Sequence, residues 1–233
     1  MQERLAALAA RYALSPWAVA RLGDLLDLVA VEPASITSVR EPELGVDVHV
    51  ADSLVGLEIE AVSGAERLAD LGAGGGFPGL VLAIARPHAR VSLVESVVRK
   101  CAFLDRAAAT LGLDNVTVVN GRAEAWADGL DVHDVVTARA VAPLGVLVEY
   151  AAPLLGGHGA LVAWKGRRDP GEEADAAVAA AALGMAPPEA RAVDPFAGAE
   201  TRTLYLTVKE APTPPGYPRR PGMARKRPFR AST

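Results

Sequence analysis

Residues 68–79, LADLGAGGGFPG, constrain this chain more than any other stretch. An apolar run ends at Asp70. Five glycines follow within eight residues (Gly72, Gly74, Gly75, Gly76 and Gly79), and an apolar segment runs from Pro78 to Ala85. That order predicts strand, glycine turn, helix. Glycine is needed where the backbone takes a positive φ or must approach a ligand with no Cβ in the way. The new helix points unpaired N–H groups and its positive dipole end into the same space. The next apolar run, RVSLVE, closes on Glu95, 23 residues past Gly72. A carboxylate there is placed to accept hydrogen bonds from ribose hydroxyls.

A glycine turn can also be a plain strand-to-helix connection. Here the pattern is GxGxGxxG with an Asp before it and an acid closing the second strand, which points to a nucleoside-cofactor site. Two cofactor chemistries stay open on these residues. A dinucleotide would seat its pyrophosphate on the helix N-terminus. S-adenosylmethionine (SAM) carries a sulfonium cation and no phosphate, and Asp70 suits a cation better.

Elsewhere the chain alternates strand and helix, which argues for a parallel sheet. Strands are predicted near residues 67–71, 90–94, 116–120, 134–139 and 160–165, with two more near 189–193 and 203–209. Helices are predicted between them, including one from 144 to 155 that ends in a Gly156-Gly157 turn. Before the sheet, residues 3–13 and 17–31 read as helices, the second opened by Ser15-Pro16 as N-cap and first helical residue. A polar linker, SITSVREPEL, leads to VDVHVADSLVGLEI, read as a helix with His49, Asp52 and Ser53 near one face.

Charge is unevenly spread. Residues 217–233 hold six cations and no acid, so a chain of net charge −4 carries −10 over residues 1–216. A basic tail on an acidic body suggests a polyanionic partner, a solvated end being the alternative. Cys101 is the one cysteine, so no internal disulfide is possible. No Cys/His cluster has zinc-ligand spacing, and no metal is expected. The first residues lack the apolar core of a signal peptide, and no stretch has the length of a membrane span. The expectation is a cytoplasmic protein with no membrane partner.

At the C-terminal ends of strands, where open parallel sheets bind ligands, stand Ala123 and Glu124 after the third strand, Arg139 closing the fourth and Lys165 closing the fifth. Glu124 is placed to meet an adenine amino group.

Over nearly its whole length the chain resembles the bacterial 16S rRNA guanine-N7 methyltransferases (the RsmG, or glucose-inhibited division protein B, family). The matching stretches are SITSVREP, HVADS, DLGAGGGFPG, ESVVRK, RAEAW, DVVTARAVAPL, AWKG and YPRRPGMARKRPF. The resemblance implies an α/β fold, the class I SAM-dependent methyltransferase (Rossmann-like) sheet of seven strands, mostly parallel with the last antiparallel. It implies an N-terminal helical extension (1–62), a SAM-binding domain (63–211) and a basic C-terminal tail (212–233). It implies methyl transfer from SAM to N7 of a guanine in 16S rRNA, free or in the small-subunit particle, by a monomer. Gly72, Phe77, Ala123, Glu124 and Arg139 fall at the family's SAM-contacting positions, joined on the residue reading by Asp70, Gly74, Gly76 and Glu95. Arg139 and Lys165 are the candidates to hydrogen-bond the guanine oxygen or a phosphate in catalysis. Arg219, Arg220, Arg225, Lys226 and Arg227 are the candidates for RNA contact, so removing the tail is expected to leave SAM affinity unchanged. The chain departs from the family at Ser35-Ile36, Val48, Glu95, Arg99-Lys100 and Phe229. Val48 replaces a cation, which puts RNA grip on that side in doubt. Outside this family the same landmarks would suit a small-molecule methyltransferase, a non-catalytic RNA-binding protein or, less well, a nicotinamide-dependent dehydrogenase.

Overall fold

The computed structural model describes residues 1–199 and 201–232. Helices α1 (Gln2–Tyr12) and α2 (Pro16–Val31) come first. Pro16 sits at the first helical position of α2, and the Ser15 hydroxyl accepts from Ala18 N at 3.2 Å, which fixes the start. Residues 42–58 then form one helical run with changing pitch. It comprises α3 (Pro42–Gly45), a π-helical segment Val46–Ala51, α4 (Asp52–Leu54) and a 3-10 segment Val55–Glu58, and α5 (Glu60–Gly64) follows. The sequence reading gave an ordinary helix here. The wider π turn is a form often found at functional sites.

From β1 (Arg67–Leu71) the chain alternates: α6 (Gly79–Ala85), β2 (Arg90–Glu95), α7 (Val98–Leu111), β3 (Val116–Asn120), β4 (His133–Arg139), α8 (Leu144–Ala151), β5 (Leu155–Lys165), α9 (Pro170–Leu183), β6 (Glu189–Val193) and β7 (Arg202–Val208). The seven strands lie in the order β3-β2-β1-β4-β5-β7-β6, with β7 antiparallel to its neighbours. The order reverses between β1 and β4, and that switch point is where such sheets open a crevice. One boundary differs from expectation. Helix α8 ends at Ala151, and Gly156-Gly157 lies inside β5 rather than in a turn, with Leu155 already paired to His133 across an irregularity in the ladder.

Alternation along the strands sorts the core onto two faces. Leu68, Val135, Val162 and Trp164 face the N-terminal helices, α6 and α7. Ala69, Leu71, Val136, Ala138, Leu161 and Ala163 face α8 and α9. The C-terminal segment packs on this second face, with Ala224 buried and Tyr217 and Phe229 against the cluster. It includes a four-residue helix, α10 (Met223–Lys226), where the sequence reading gave none.

Candidate cofactor site at the carboxyl rim

The glycine turn is held from beneath by Asp70, whose side chain is fully buried. Its carboxylate accepts from Gly79 N at 2.9 Å and from the Thr137 hydroxyl at 2.8 Å. Burial pushes the Asp70 carboxyl up to about 7, with the hydrogen bonds from Thr137 and Gly79 acting the other way. Asp70 is thus a support below the turn and does not line the pocket above it, contrary to the expected cation contact. It also occupies an N–H at the start of α6, so a pyrophosphate there would meet a carboxylate. This observation disfavours the dinucleotide alternative.

Three glycines have a steric reason to be there, among them Gly79, whose added Cβ would lie 2.3 Å from Leu93 Cδ2 and 2.7 Å from Asp70 Oδ2. Gly72 (φ +67°) carries no Cβ where one would lie 2.6 Å from Val141 Cγ2, and Gly76 (φ +90°) where one would lie 2.3 Å from Leu80 Cδ1. Gly74 has the positive φ, +58°, but its nearest neighbour to an added Cβ is Gly72 O at 3.5 Å, so backbone geometry alone selects it. The polar linker that precedes the helical run closes over the turn, bringing Ile36 O within 3.4 Å of a Cβ placed on Gly75.

Above the turn lies a pocket of about 210 Å³, lined by Gly72, Glu95, Ser96, Ala123, Glu124 and Val141 among others. Glu95 is buried at its edge. Its Oε2 accepts from Gly74 N at 3.1 Å and its Oε1 from Val97 N at 2.8 Å. Each oxygen keeps a second acceptor position, which suits the two hydroxyls of a ribose. Glu124 Oε1 accepts from Gly222 N at 2.9 Å, so one of its oxygens is engaged by the C-terminal segment.

Phe77 is buried and stacks on His49, rings 4.2 Å apart and 9° from parallel, while the Arg139 guanidinium lies 5.6 Å from the Phe77 centroid. Phe77 is thus in a side-chain stack beside the pocket and does not line it. His49 Nε2 lies 2.8 Å from Val39 O, which assigns the ring proton to Nε2. Burial holds the pKa of His49 below the ordinary histidine value, with the hydrogen bond to Val39 O acting the other way. Arg139 donates to Asp52 Oδ2 at 2.7 Å and to Val48 O at 3.1 Å. Asp52 Oδ1 also accepts from Arg202 at 3.0 Å, and Asp52 O from Trp164 Nε1 at 2.6 Å. Asp52 therefore ties the helical run to the ends of β4 and β7 through its buried carboxylate and to β5 through its backbone carbonyl.

The structure separates the two residues expected to act together in catalysis. Arg139 is paired with Trp164 in the ladder and shares its face, whereas Lys165, the next residue, points to the other. Lys165 Nζ donates to Glu172 Oε1 at 2.5 Å and to Ala142 O at 3.3 Å.

The basic tail is not a free arm. Arg219 makes a bidentate pair with Glu149, which is buried on α8, and its guanidinium lies beside the stacked rings of Tyr217 and Phe229, 5.9 and 5.5 Å from their centroids. Arg225 donates to Val141 O and lines the pocket. Arg230 pairs with Asp175. This strap forms part of the pocket wall, so the expectation that the tail is independent of the cofactor positions does not hold in the structure. Arg220, Arg225, Lys226 and Arg227 remain exposed. The reading of the sequence missed Ser96, Gly121, Arg122, Val141, Tyr150 and Arg225 among the pocket residues; the local signals were the proximity of Ser96 to Glu95 and of Gly121 and Arg122 to Ala123.

A family model, GidB, rRNA small subunit methyltransferase G, matches residues 24–193. The relative from Roseiflexus castenholzii named ribosomal RNA small subunit methyltransferase G is 47% identical over 168 residues, 70% of each chain. The Deinococcus radiodurans protein of the same name is 41% identical over 204 residues, 85% of this chain and 79% of that one. Among solved structures, the fold is similar to a Thermotoga maritima SAM-dependent O-methyltransferase (TM-score 0.55, 16% identity, 82% of this chain and 72% of that one). It is also similar to a Catenulisporales acidiphilia 16S rRNA adenine-N1 methyltransferase (TM-score 0.51, 22% identity, 66% and 90%). These structural likenesses establish the class I methyltransferase fold. With the family model spanning most of the sequence and relatives of this identity along it, the chain belongs to the GidB family, rRNA small subunit methyltransferase G.

Proposed function

We propose that this protein transfers a methyl group from SAM to N7 of a guanine in 16S rRNA. The observation that carries the reading is the pocket at the switch point. It ends in a buried Glu95 with acceptor capacity left for a ribose, and its helix N-terminus is already occupied by Asp70. The glycine cradle fits the cofactor because a Cβ at Gly72 or Gly76 would collide with the residues that shape it. Glu95 would hold the ribose hydroxyls, Ala123 the adenine plane, and the second oxygen of Glu124 the adenine amino group. When bound, SAM supplies an electrophilic methyl group on a sulfonium.

Guanine N7 carries a lone pair and no proton, so the chain need supply no general base. Its work is to hold the base in line and exclude water. Arg139 acts as a positioning residue through Asp52 and the Phe77–His49 stack, holding the helical run over the carboxyl rim. The target guanine has to leave its stack to reach the pocket.

The rim is also suited to RNA. The first turn of α7, just after β2, carries Arg99 and Lys100, the loops that follow β3 and β5 carry Arg122 and Arg167, and the strap adds Arg220, Lys226 and Arg227. Among the described residues none of these seven forms an ion pair, which leaves them for phosphates. The substrate is 16S rRNA or the small-subunit particle, the acting form a monomer and the compartment the cytoplasm. Among the described residues no helix is long and apolar enough to cross a membrane.

The test is to incubate the protein with SAM and unmodified 16S rRNA or small subunits, then map 7-methylguanine by borohydride reduction and aniline cleavage. One new cleavage site is expected. Methyl incorporation into adenine or protein, or none into RNA, would refute the reading.

A further inference from the structure

Beside the cofactor pocket lies a second, larger cleft of about 1000 Å³ between the β4–α8 connection, the start of α9 and the strap. Val141 and Arg225 line both spaces, and the Arg225 hydrogen bond to Val141 O is the partition between them. Strand order sets their relation. Glu95 and Ala123 place the nucleoside half of the pocket at the β2–β3 side, so its opposite end abuts β4 and the cleft beyond.

The cleft pairs apolar surface with donors and acceptors: Ala142, Pro143, Val146 and Phe229 alongside Lys165 and Glu172. The charged pair keeps unused capacity. Lys165 spends two of its three N–H groups, on Glu172 and Ala142 O. Both recorded bonds to Glu172, from Lys165 and from Leu144 N, end on Oε1, which leaves Oε2 open among the described residues. A free ammonium N–H beside a free carboxylate oxygen matches the edge of guanine, which presents O6 as acceptor and N1–H with the 2-amino group as adjacent donors. Adenine has no such donor pair for a carboxylate. The volume lies at the top of the range for small-ligand sites and accommodates a whole nucleotide.

From this juxtaposition we infer that the second cleft is the docking site of the flipped guanine nucleotide, with Lys165 and Glu172 reading its edge and the Val141–Arg225 partition the point where base and cofactor meet. The inference rests on the proposed function and names the substrate subsite for it.

Two substitutions fill the cleft from different walls without touching the cofactor pocket: Ala142→Trp on the β4–α8 connection and Ala174→Trp on the exposed side of α9. Three measurements accompany each: the melting temperature, the affinity for S-adenosylhomocysteine by calorimetry, and saturation-transfer NMR with GMP and, separately, AMP. Methylation of small subunits is followed on the same samples. GMP is expected to give a stronger signal than AMP on the unsubstituted protein. In at least one folded variant that signal should disappear and kcat/KM should fall at least tenfold, with S-adenosylhomocysteine affinity within twofold. No preference for GMP on the unsubstituted protein overturns the inference. So does a GMP signal, or a methylation rate, that survives in both variants. So does a loss of S-adenosylhomocysteine affinity in both, which would make the cleft part of the cofactor site. Methylation by the unsubstituted protein tests the proposed function separately, so the two failures are distinguishable.

Discussion

The glycine crossover and the C-terminal strap shape the same pocket by different means. The crossover does it with backbone: positive-φ glycines, a buried Asp70 bracing the start of α6, and Glu95 tied to Gly74 N and Val97 N. Every partner comes from the first two strands and their turns, apart from Thr137 on the adjoining β4. The strap does it with side chains that reach far along the chain, Arg219 to Glu149, Gly222 N to Glu124 and Arg225 to Val141 O. Local geometry leaves a spacing that can be read in a sequence, whereas long-range pairing leaves only a charge count. The same six cations that suggest a free polyanion-binding arm are in part committed to the body.

The largest effect expected is at the crossover. Gly76→Val combines a left-handed backbone with an overlap on Leu80, and should cost roughly 3 kcal/mol or more. S-adenosylhomocysteine binding should be undetectable by calorimetry. Wild-type affinity in this variant would mean that the turn does not form the cradle.

Next is the strap anchor. Arg219→Ala leaves Glu149, 3% exposed, without its partner, and is expected to destabilise the protein by roughly 2–4 kcal/mol in urea unfolding. Adding Glu149→Gln should return part of that loss, because the unpaired charge goes with it. Additive losses would show that the pair is not the anchor.

The smallest effect is a pH dependence that separates the two regions. The folded-state value for Asp70, about 7, lies above the ordinary carboxylate value. The native state therefore holds a proton that the unfolded state has released, and this contribution to stability, complete below about pH 4, is lost as pH rises through 7. Asp70→Asn removes the titration, keeps an acceptor for Gly79 N, and should flatten the stability profile between about pH 4 and 7. The double variant Arg219→Ala/Glu149→Gln, which leaves no unpaired buried carboxylate, should leave the shape of the profile unchanged. An equal slope in the Asp70→Asn variant would assign the titration elsewhere.

Much of the sheet was legible because each strand is a short apolar run bounded by turn residues, and Glu95 marked the end of β2 by position alone. The Leu155–Gly159 stretch was not. Its glycines imitate a turn, yet pairing of Leu155 with His133 draws them into β5. Phe77 and Asp70 were picked out correctly as belonging to the crossover, but sequence could not show that one stacks on His49 and the other lies under the turn. Both placements depend on elements distant in the chain, the helical run 42–58 and Thr137 on β4. Lys165 and Arg139 are each at a strand end as expected. Their separation follows from a one-residue offset in the β4–β5 register that puts them on opposite faces.

The claim that the strap is a working wall of the cofactor pocket is tested most directly by titrating S-adenosylhomocysteine into the full chain and into a chain ending at residue 216. Loss of Arg225 and of the Gly222 contact to Glu124 should lower the affinity by roughly tenfold or more, about 1.4 kcal/mol, in a protein that still unfolds cooperatively at a lower temperature. Unchanged affinity, with only the salt dependence of RNA binding flattened, would contradict the account and return the tail to the role of a free RNA-binding arm.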